Sequence, residues 1–274
     1  MDVRYDPKEY WEHRFSKNLD LTTVGHSGLG YVYNYWLYKA RFSAMNRALR
    51  KLNLDVSGRS LLDTGVGSGA WIPFWQKCSV SKIMGIDITS TSVNTLKNKY
   101  PQFKFIQENI CRELSFNKDD KFDIVTVFDV LFHITNDIDF NKAIKNISKR
   151  IKNKGWILIC DSFCNTSWGS SYHEHHRSFD DYAKILNMSG LDIIHIEPIF
   201  ITMTTTICDS NFCYKFLLDR LTQVTLGLVA KLSARKETEW LNHLIGCSLY
   251  LLDVTLCQII STGPSLKILF AQKS

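Results

Sequence analysis

The chain is predicted to be an α/β protein with a doubly wound, mostly parallel seven-stranded sheet, a helical N-terminal region and two helices inserted before the last strand. Three observations lead to this prediction. From Ser60 onward, short apolar and β-branched runs alternate with segments of helical period. The first run ends in a glycine-rich turn containing Gly65, Gly67 and Gly69. Between Phe200 and Gly263 the alternation is broken by two long helical patterns before the rhythm returns in a final strand.

The elements follow in order. Ser60 to Asp63 is a strand, a helix runs through Trp71 to Lys77, and Lys82 to Asp87 is a second strand with apolar Ile83, Met84 and Ile86. Thr89 or Ser90 caps a helix whose Val93, Leu96 and Tyr100 share one face. Phe103 to Gln107 and Phe122 to Phe128 are the third and fourth strands, the latter too β-branched for a surface helix. Asn136 or Asp137 opens a helix carrying Phe140, Ile144, Ile147 and Ile151, followed by a strand from Trp156 to Cys160. Ser178 and Asp181 form a capping box for a helix ending near Gly190. Ile193 to Ile196 is the sixth strand. One helical pattern then runs through Leu217, Leu221, Val224, Leu228 and Leu232, a second from Trp240 to Ile260, and Ser265 to Phe270 closes the sheet.

With 274 residues, 45% hydrophobic and 22% charged, the chain has ordinary globular composition, which excludes disordered and fibrous classes. A single domain over residues 1–274 is expected, with 1–55 and 200–263 as its helical additions. The net charge of +6 comes with no dense basic run, so a nucleic-acid partner is not expected. The 8 cysteines include no CxxC pair, and Cys78, Cys160, Cys247 and Cys257 lie in apolar context, as reduced buried thiols do. The polar start from Met1 to Tyr10 carries no secretory pattern, so a cytoplasmic location is expected. Leu241 to Ile260 has membrane length but contains His243 and Asp253, and reads as a buried or interface helix rather than a span.

The strongest local signal is LLDTGVGSGAW, residues 61–71, a glycine loop between a strand and a helix. Gly65, Gly67 and Ala70 also satisfy a dinucleotide-binding spacing, with Asp87 at the end of the next strand where a ribose-binding acid belongs. Asp63 separates the two readings. Next to a pyrophosphate, at roughly 6 Å and an effective dielectric near 20, each like-charge pair costs about 2 to 3 kcal/mol. S-adenosylmethionine brings an ammonium and a sulfonium and no phosphate, so the same carboxylate attracts it.

At this point the chain resembles the class I S-adenosylmethionine-dependent methyltransferases, small-molecule type, over most of Ser60 to Gln272. The loop from Asp63 to Gly69 is similar to their first motif, MGIDIT to the second, FIQENI to the third, FDIVTVFDVLFHI to the fourth, and KNKGWILI to the turn before the fifth strand. The resemblance implies a Rossmann-like fold with S-adenosylmethionine as cofactor. It implies that Asp63, Gly65, Gly67 and Gly69 hold the methionine moiety, that Asp87 bonds the ribose, that Ile88 packs on adenine and that Asn109, usually Asp in the family, reads the adenine edge. Asp129 and His133 follow the fourth strand, where donor and acceptor meet in the family.

The N-terminal region is implied to fold over the cofactor as a lid. YWEHRF places Tyr10 beside Arg14 and Trp11 beside Phe15 on a helix, and Arg14 is a bidentate partner for the methionine carboxylate. The segment GYVYNYW, with Tyr31, Tyr33, Tyr35 and Trp36, is a second aromatic candidate for the same wall. The inserted helices offer an opposite wall or a homodimer interface. Methyl transfer depends mainly on alignment, worth roughly 7 to 11 kcal/mol, against about 3 to 5 kcal/mol for a general base. Asp161, His133 and His175 are the candidates for base or acceptor contact. The run His173 to Arg177 matches no zinc spacing, and no metal is assigned. By the resemblance, the lack of a Pro-Pro-aromatic or Pro-Cys motif disfavours base methylation and leaves an oxygen or nitrogen of a small metabolite or short peptide. The alternatives are a nicotinamide-dependent oxidoreductase and a catalytically silent donor-binding sensor or scaffold.

Overall fold

The structure, a computed structural model, describes residues 5–205, 212–260, 263 and 265–274. Its centre is a seven-stranded sheet. In chain order the strands are β1 (Ser60–Thr64), β2 (Lys82–Asp87), β3 (Lys104–Gln107), β4 (Phe122–Phe128), β5 (Ile151–Asp161), then a separate hairpin of β6 (Trp168–Ser171) and β7 (Glu174–His176), and finally β8 (Leu191–Pro198) and β9 (Lys267–Lys273). The sheet order is β3-β2-β1-β4-β5-β9-β8, and β9 runs antiparallel to both of its neighbours. The order reverses between β1 and β4, so crossovers leave the sheet in opposite directions there and open a crevice at the strands' carboxyl ends. Register puts Asp63 opposite Gly85 on one side and Thr126 on the other.

The helices are α1 (Pro7–Lys17), α2 (Leu21–Val24), α3 (Gly30–Lys51), α4 (Ile72–Lys77), α5 (Ser90–Lys99), α6 (Asp137–Ser148), α7 (Phe179–Met188), α8 (Phe212–Ser233) and α9 (Glu239–Ile259). Alternate residues of each central strand serve opposite faces. Leu61, Ile83, Ile124 and Phe270 join one core with α3, α4 and α5, while Leu62, Met84, Val125 and Leu269 join a second with α6 and α7. Both strand runs and helix caps follow the sequence reading. Thr89 caps α5, Asn136 caps α6, and Ser178 with Asp181 forms the capping box of α7.

The structure departs from the sequence reading in three places. Ile151 belongs to β5, not to the preceding helix: β5 starts there and carries an irregularity opposite Phe122 to Ile124, with Lys154 at φ 59°. Gly155 is required at this bend, because a Cβ would stand 2.8 Å from both Ile151 Cγ2 and the Lys152 carbonyl oxygen. The loop after β5 contains the β6–β7 hairpin, too short and polar to leave a strand signal. The third difference is GYVYNYW, which lies within α3. Tyr33 and Trp36 are buried in the core, and none of the four rings lines the large cavity described below.

Of the inserted stretch, residues 206–211 and 261–262 lie outside the described residues. By length and hydropathy Lys236–Ile259 could reach across a bilayer. In the fold one side of α9 packs on α3, with Gly246 so close that a Cβ would lie 2.4 Å from Trp36 Cδ1. The other side leaves Trp240, Leu244, Leu251 and Ile259 exposed. Asp253 faces inward at 1% exposure and accepts the N–H groups of Ile201 at 3.0 Å, Thr202 at 2.7 Å and Met203 at 3.2 Å, plus the Thr202 hydroxyl at 2.7 Å. Burial raises its pKa against these bonds. Removing it strands several buried donors. In urea unfolding, Asp253→Ala is expected to lose about 3 kcal/mol and Asp253→Asn less, since an amide oxygen still accepts.

Candidate functional site

A cavity of about 1320 Å³ opens at the carboxyl ends of β1, β2 and β4. The glycine loop forms its floor. Gly65 (φ 73°) and Gly69 (φ 72°) take left-handed backbone, and a Cβ at Gly65 would come within 2.2 Å of Val130 Cγ2. Asp63 sits at the end of β1 with 3% exposure, and among the described residues its one side-chain donor is the Thr126 hydroxyl at 2.7 Å. Burial, reinforced by the charge of Asp87 and only partly opposed by Thr126, lifts the Asp63 carboxyl to about 6. Asp87 is also buried, but its charge is distributed: it accepts from the Gly67 N–H at 2.9 Å, the Thr89 N–H at 2.9 Å and the Thr89 hydroxyl at 2.7 Å. Burial still raises its pKa.

Ile88 and Asn109 lie on the same wall, and Asn109 Oδ1 accepts from the Cys111 N–H at 2.9 Å, which fixes the turn after β3. Helix α1 crosses the cavity and contributes Trp11 and Phe15. It is fastened to α5 by Glu12, whose carboxylate takes the Ser90 N–H at 2.7 Å, the Thr91 N–H at 3.0 Å and both hydroxyls. Those donors outweigh desolvation and lower its pKa. The carboxylate also meets the positive end of α5.

Arg14 and Tyr10 do not line the cavity. The Arg14 guanidinium donates to the Thr23 carbonyl at 3.1 Å and to the Tyr10 hydroxyl at 3.0 Å, tying α1 to α2, so the reading of Arg14 as a carboxylate partner gives way to a structural one. The loop itself retains binding capacity: Ser68 Oγ, on the cavity wall, is buried without a hydrogen-bond partner among the described residues. An under-satisfied carboxylate, an orphaned hydroxyl and a glycine cradle fit a zwitterionic amino-acid tail that carries both an ammonium and a carboxylate.

The acceptor end differs more from expectation. Asp129 (φ 58°) lines the cavity but is paired: Arg41 of α3, 6% exposed, holds its Oδ2 at 2.7 Å, and the Cys160 thiol lies 3.2 Å from its Oδ1. Asp161 does not line the cavity. It is fully buried away from the cavity and saturated by Tyr182, the Ser162 N–H and hydroxyl, and a nearby His176. His175 also lies off the cavity, with Nδ1 3.2 Å from the Thr135 carbonyl oxygen. His133 remains. It ends a short 3-10 turn, Leu131–His133, lines the cavity, meets the Trp11 ring edge-on at 4.9 Å, and donates through Nδ1 to the His173 carbonyl at 3.1 Å. Burial lowers its pKa to about 4, so the ring is neutral with Nε2 as acceptor.

Sequence reasoning missed Arg41 and Tyr38, which α3 brings to the site, and Thr126, which strand register brings to Asp63. The parallel β1–β4 pairing was the one available signal for Thr126.

Residues 61–155 match the family model described as a methyltransferase domain. A search of curated proteins finds no match. Among solved structures, magnesium protoporphyrin IX methyltransferase of Synechocystis PCC 6803, with S-adenosylmethionine bound, aligns over 100% of both chains with a TM-score of 0.57 at 13% identity. The 1,6-didemethyltoxoflavin-N1-methyltransferase of Burkholderia thailandensis aligns over 100% of this chain and 93% of its own, with a TM-score of 0.54 at 10% identity. A [4+2]-cyclase aligns over 85% of this chain and 80% of its own, with a TM-score of 0.50 at 16% identity. At such identities the likeness shows the fold, and fold alone does not fix a reaction. Residues 61–155, which hold the glycine loop, Asp63 and Asp87, thus match a methyltransferase domain, and S-adenosylmethionine rather than a nicotinamide dinucleotide is the cofactor that fits it.

Proposed function

We propose that the protein moves the methyl group of S-adenosylmethionine to an oxygen or nitrogen of a small molecule or short peptide, in a reducing cytoplasmic setting that suits its free Cys78, Cys160 and Cys257 thiols. The observation that carries this reading is Asp63, a buried carboxylate with a single hydroxyl donor at the head of a glycine loop. Among the described residues no cation pairs with it, and the amino group of the donor supplies one. The Ser68 hydroxyl donates to the donor's carboxylate, Asp87 bonds the ribose, and Ile88 with Asn109 flanks the adenine. The bound donor supplies an electrophilic methyl carbon on a sulfonium. The acceptor lies between Trp11, Tyr38 and His133, whose Nε2 takes a hydrogen bond from its O–H or N–H and orients the lone pair. Helix α1 is the lid over this arrangement, and Glu12 is its latch on α5.

The direct test is incubation of the protein with donor and cell extract, looking for products one methyl group heavier. Binding of S-adenosylhomocysteine without any donor consumption would instead support the silent-sensor alternative. The sign of the pH effect follows from Asp63. An acid that must be ionised to hold an ammonium, and that titrates near 6 in the free protein, loses affinity as pH falls through that value. Calorimetry is expected to show S-adenosylhomocysteine binding about tenfold weaker at pH 5 than at pH 7, with Asp63→Asn weaker at pH 7 and flat over that window. For the lid, Glu12→Ala is expected to raise the dissociation constant about three- to tenfold through a faster off-rate while barely moving the melting temperature.

A further inference from the structure

We infer that His133, His173 and Glu174 form a site for a divalent transition cation, of the Zn²⁺ type, at the wall of the cavity. The histidine run taken alone gave no ligand spacing, and the fold supplies it by seating the β6–β7 hairpin against the turn after β4. The His133 and His173 rings stack 5.7 Å apart, only 7° from parallel. Each ring has its Nδ1 engaged, His133 by the His173 carbonyl at 3.1 Å and His173 by the Ser171 hydroxyl at 3.0 Å. An imidazole whose Nδ1 is fixed by an oxygen acceptor presents Nε2 as the ligand atom.

The three ligand atoms lie within 4.8 Å of one another, and His173 Nε2 stands 3.5 Å from Glu174 Oε1. Bonds of about 2.1 Å in a tetrahedral site place ligands about 3.4 Å apart, so two of the three are already at that spacing and His133 closes the remainder by a small side-chain rotation. Two imidazoles and one carboxylate without a thiolate suit Zn²⁺ and its neighbours better than the all-oxygen preference of Mg²⁺ or Ca²⁺. The Tyr10 hydroxyl, 3.3 Å from His173 Nε2 and held by Arg14 at 3.0 Å, borders the site from α1.

Three protein ligands leave a position open, and His133 and Tyr172 place it at the cavity wall. An acceptor hydroxyl bound there releases its proton to water. Its lone pair then forms the O–CH₃ bond, while the C–S pair returns to sulfur and leaves a neutral thioether. This role rests on the methyl-transfer reading and replaces the His133 hydrogen bond described above, whereas binding of the cation does not depend on that reading.

The test uses the full chain stripped with chelator, titrated with Zn²⁺ by calorimetry and with Co²⁺ by visible absorption. Saturable uptake of a single ion is expected, with d–d bands of low coordination number. His173→Ala and Glu174→Gln are each expected to weaken it about tenfold or more, and His175→Ala, a neighbour on the same hairpin, to leave it unchanged. Absence of saturable binding, or wild-type affinity in both ligand variants, overturns the site, the latter placing the ion elsewhere on the chain. S-adenosylhomocysteine binding by the same stripped protein separates the two proposals: retained binding with no cation uptake removes the metal site and leaves the methyl-transfer reading standing.

Discussion

The neighbouring strands β1 and β2 bury their carboxyl-terminal ends side by side, and each carries a carboxylate there, Asp63 and Asp87. Water is largely excluded there, so each negative charge has to be met by hydrogen bonds or by a ligand's positive charge. Asp87 is met internally by the Gly67 N–H and by Thr89. Among the described residues Asp63 has one hydroxyl donor, and its remaining lone pairs are unmet. That imbalance is the feature on which the proposed preference for a cationic ligand over a diphosphate rests, because the loop's shape alone accommodates either.

The same economy of charge operates at the other end of the cavity. Asp129, in left-handed backbone immediately after β4, would be a second under-satisfied carboxylate beside Asp63 without Arg41. The guanidinium is itself buried, stacked 5.5 Å from the Tyr38 ring and 5.4 Å from that of Phe200. Acidic groups around the cavity are therefore not equivalent. Asp129 is paired with a buried cation, Asp87 accepts three hydrogen bonds, and Asp63 accepts one from Thr126.

The features legible in the sequence are those whose causes are local. The glycine loop, the strand runs through Ile83 to Ile86 and Phe122 to Phe128, and the Ser178 capping box each depend on residues a few positions apart, and the structure has them in place. Where a residue's fate depends on a distant partner, sequence reading fails in a consistent direction. Arg14 looked available for a ligand, but the Thr23 carbonyl consumes it. Asp161 looked like a strand-end acid, but Tyr182 on α7 buries it. His175 and His133 are both histidines after a strand, and only packing against Trp11 separates the one at the cavity from the one beside it. Arg41 gave no signal at all, since its partner lies 88 positions further along the chain (129 − 41).

Helix α3 has a double attachment. Arg41 ties it to the cavity through Asp129, and Trp36, little more than a turn earlier, is pressed against Gly246 of the inserted helix α9 with no room for a methyl group. A rod this tightly gripped at two points transmits displacement rather than absorbing it. The inner face of the insertion thus bears on the same helix that holds Asp129 at the cavity, even though no residue of α9 lines that cavity.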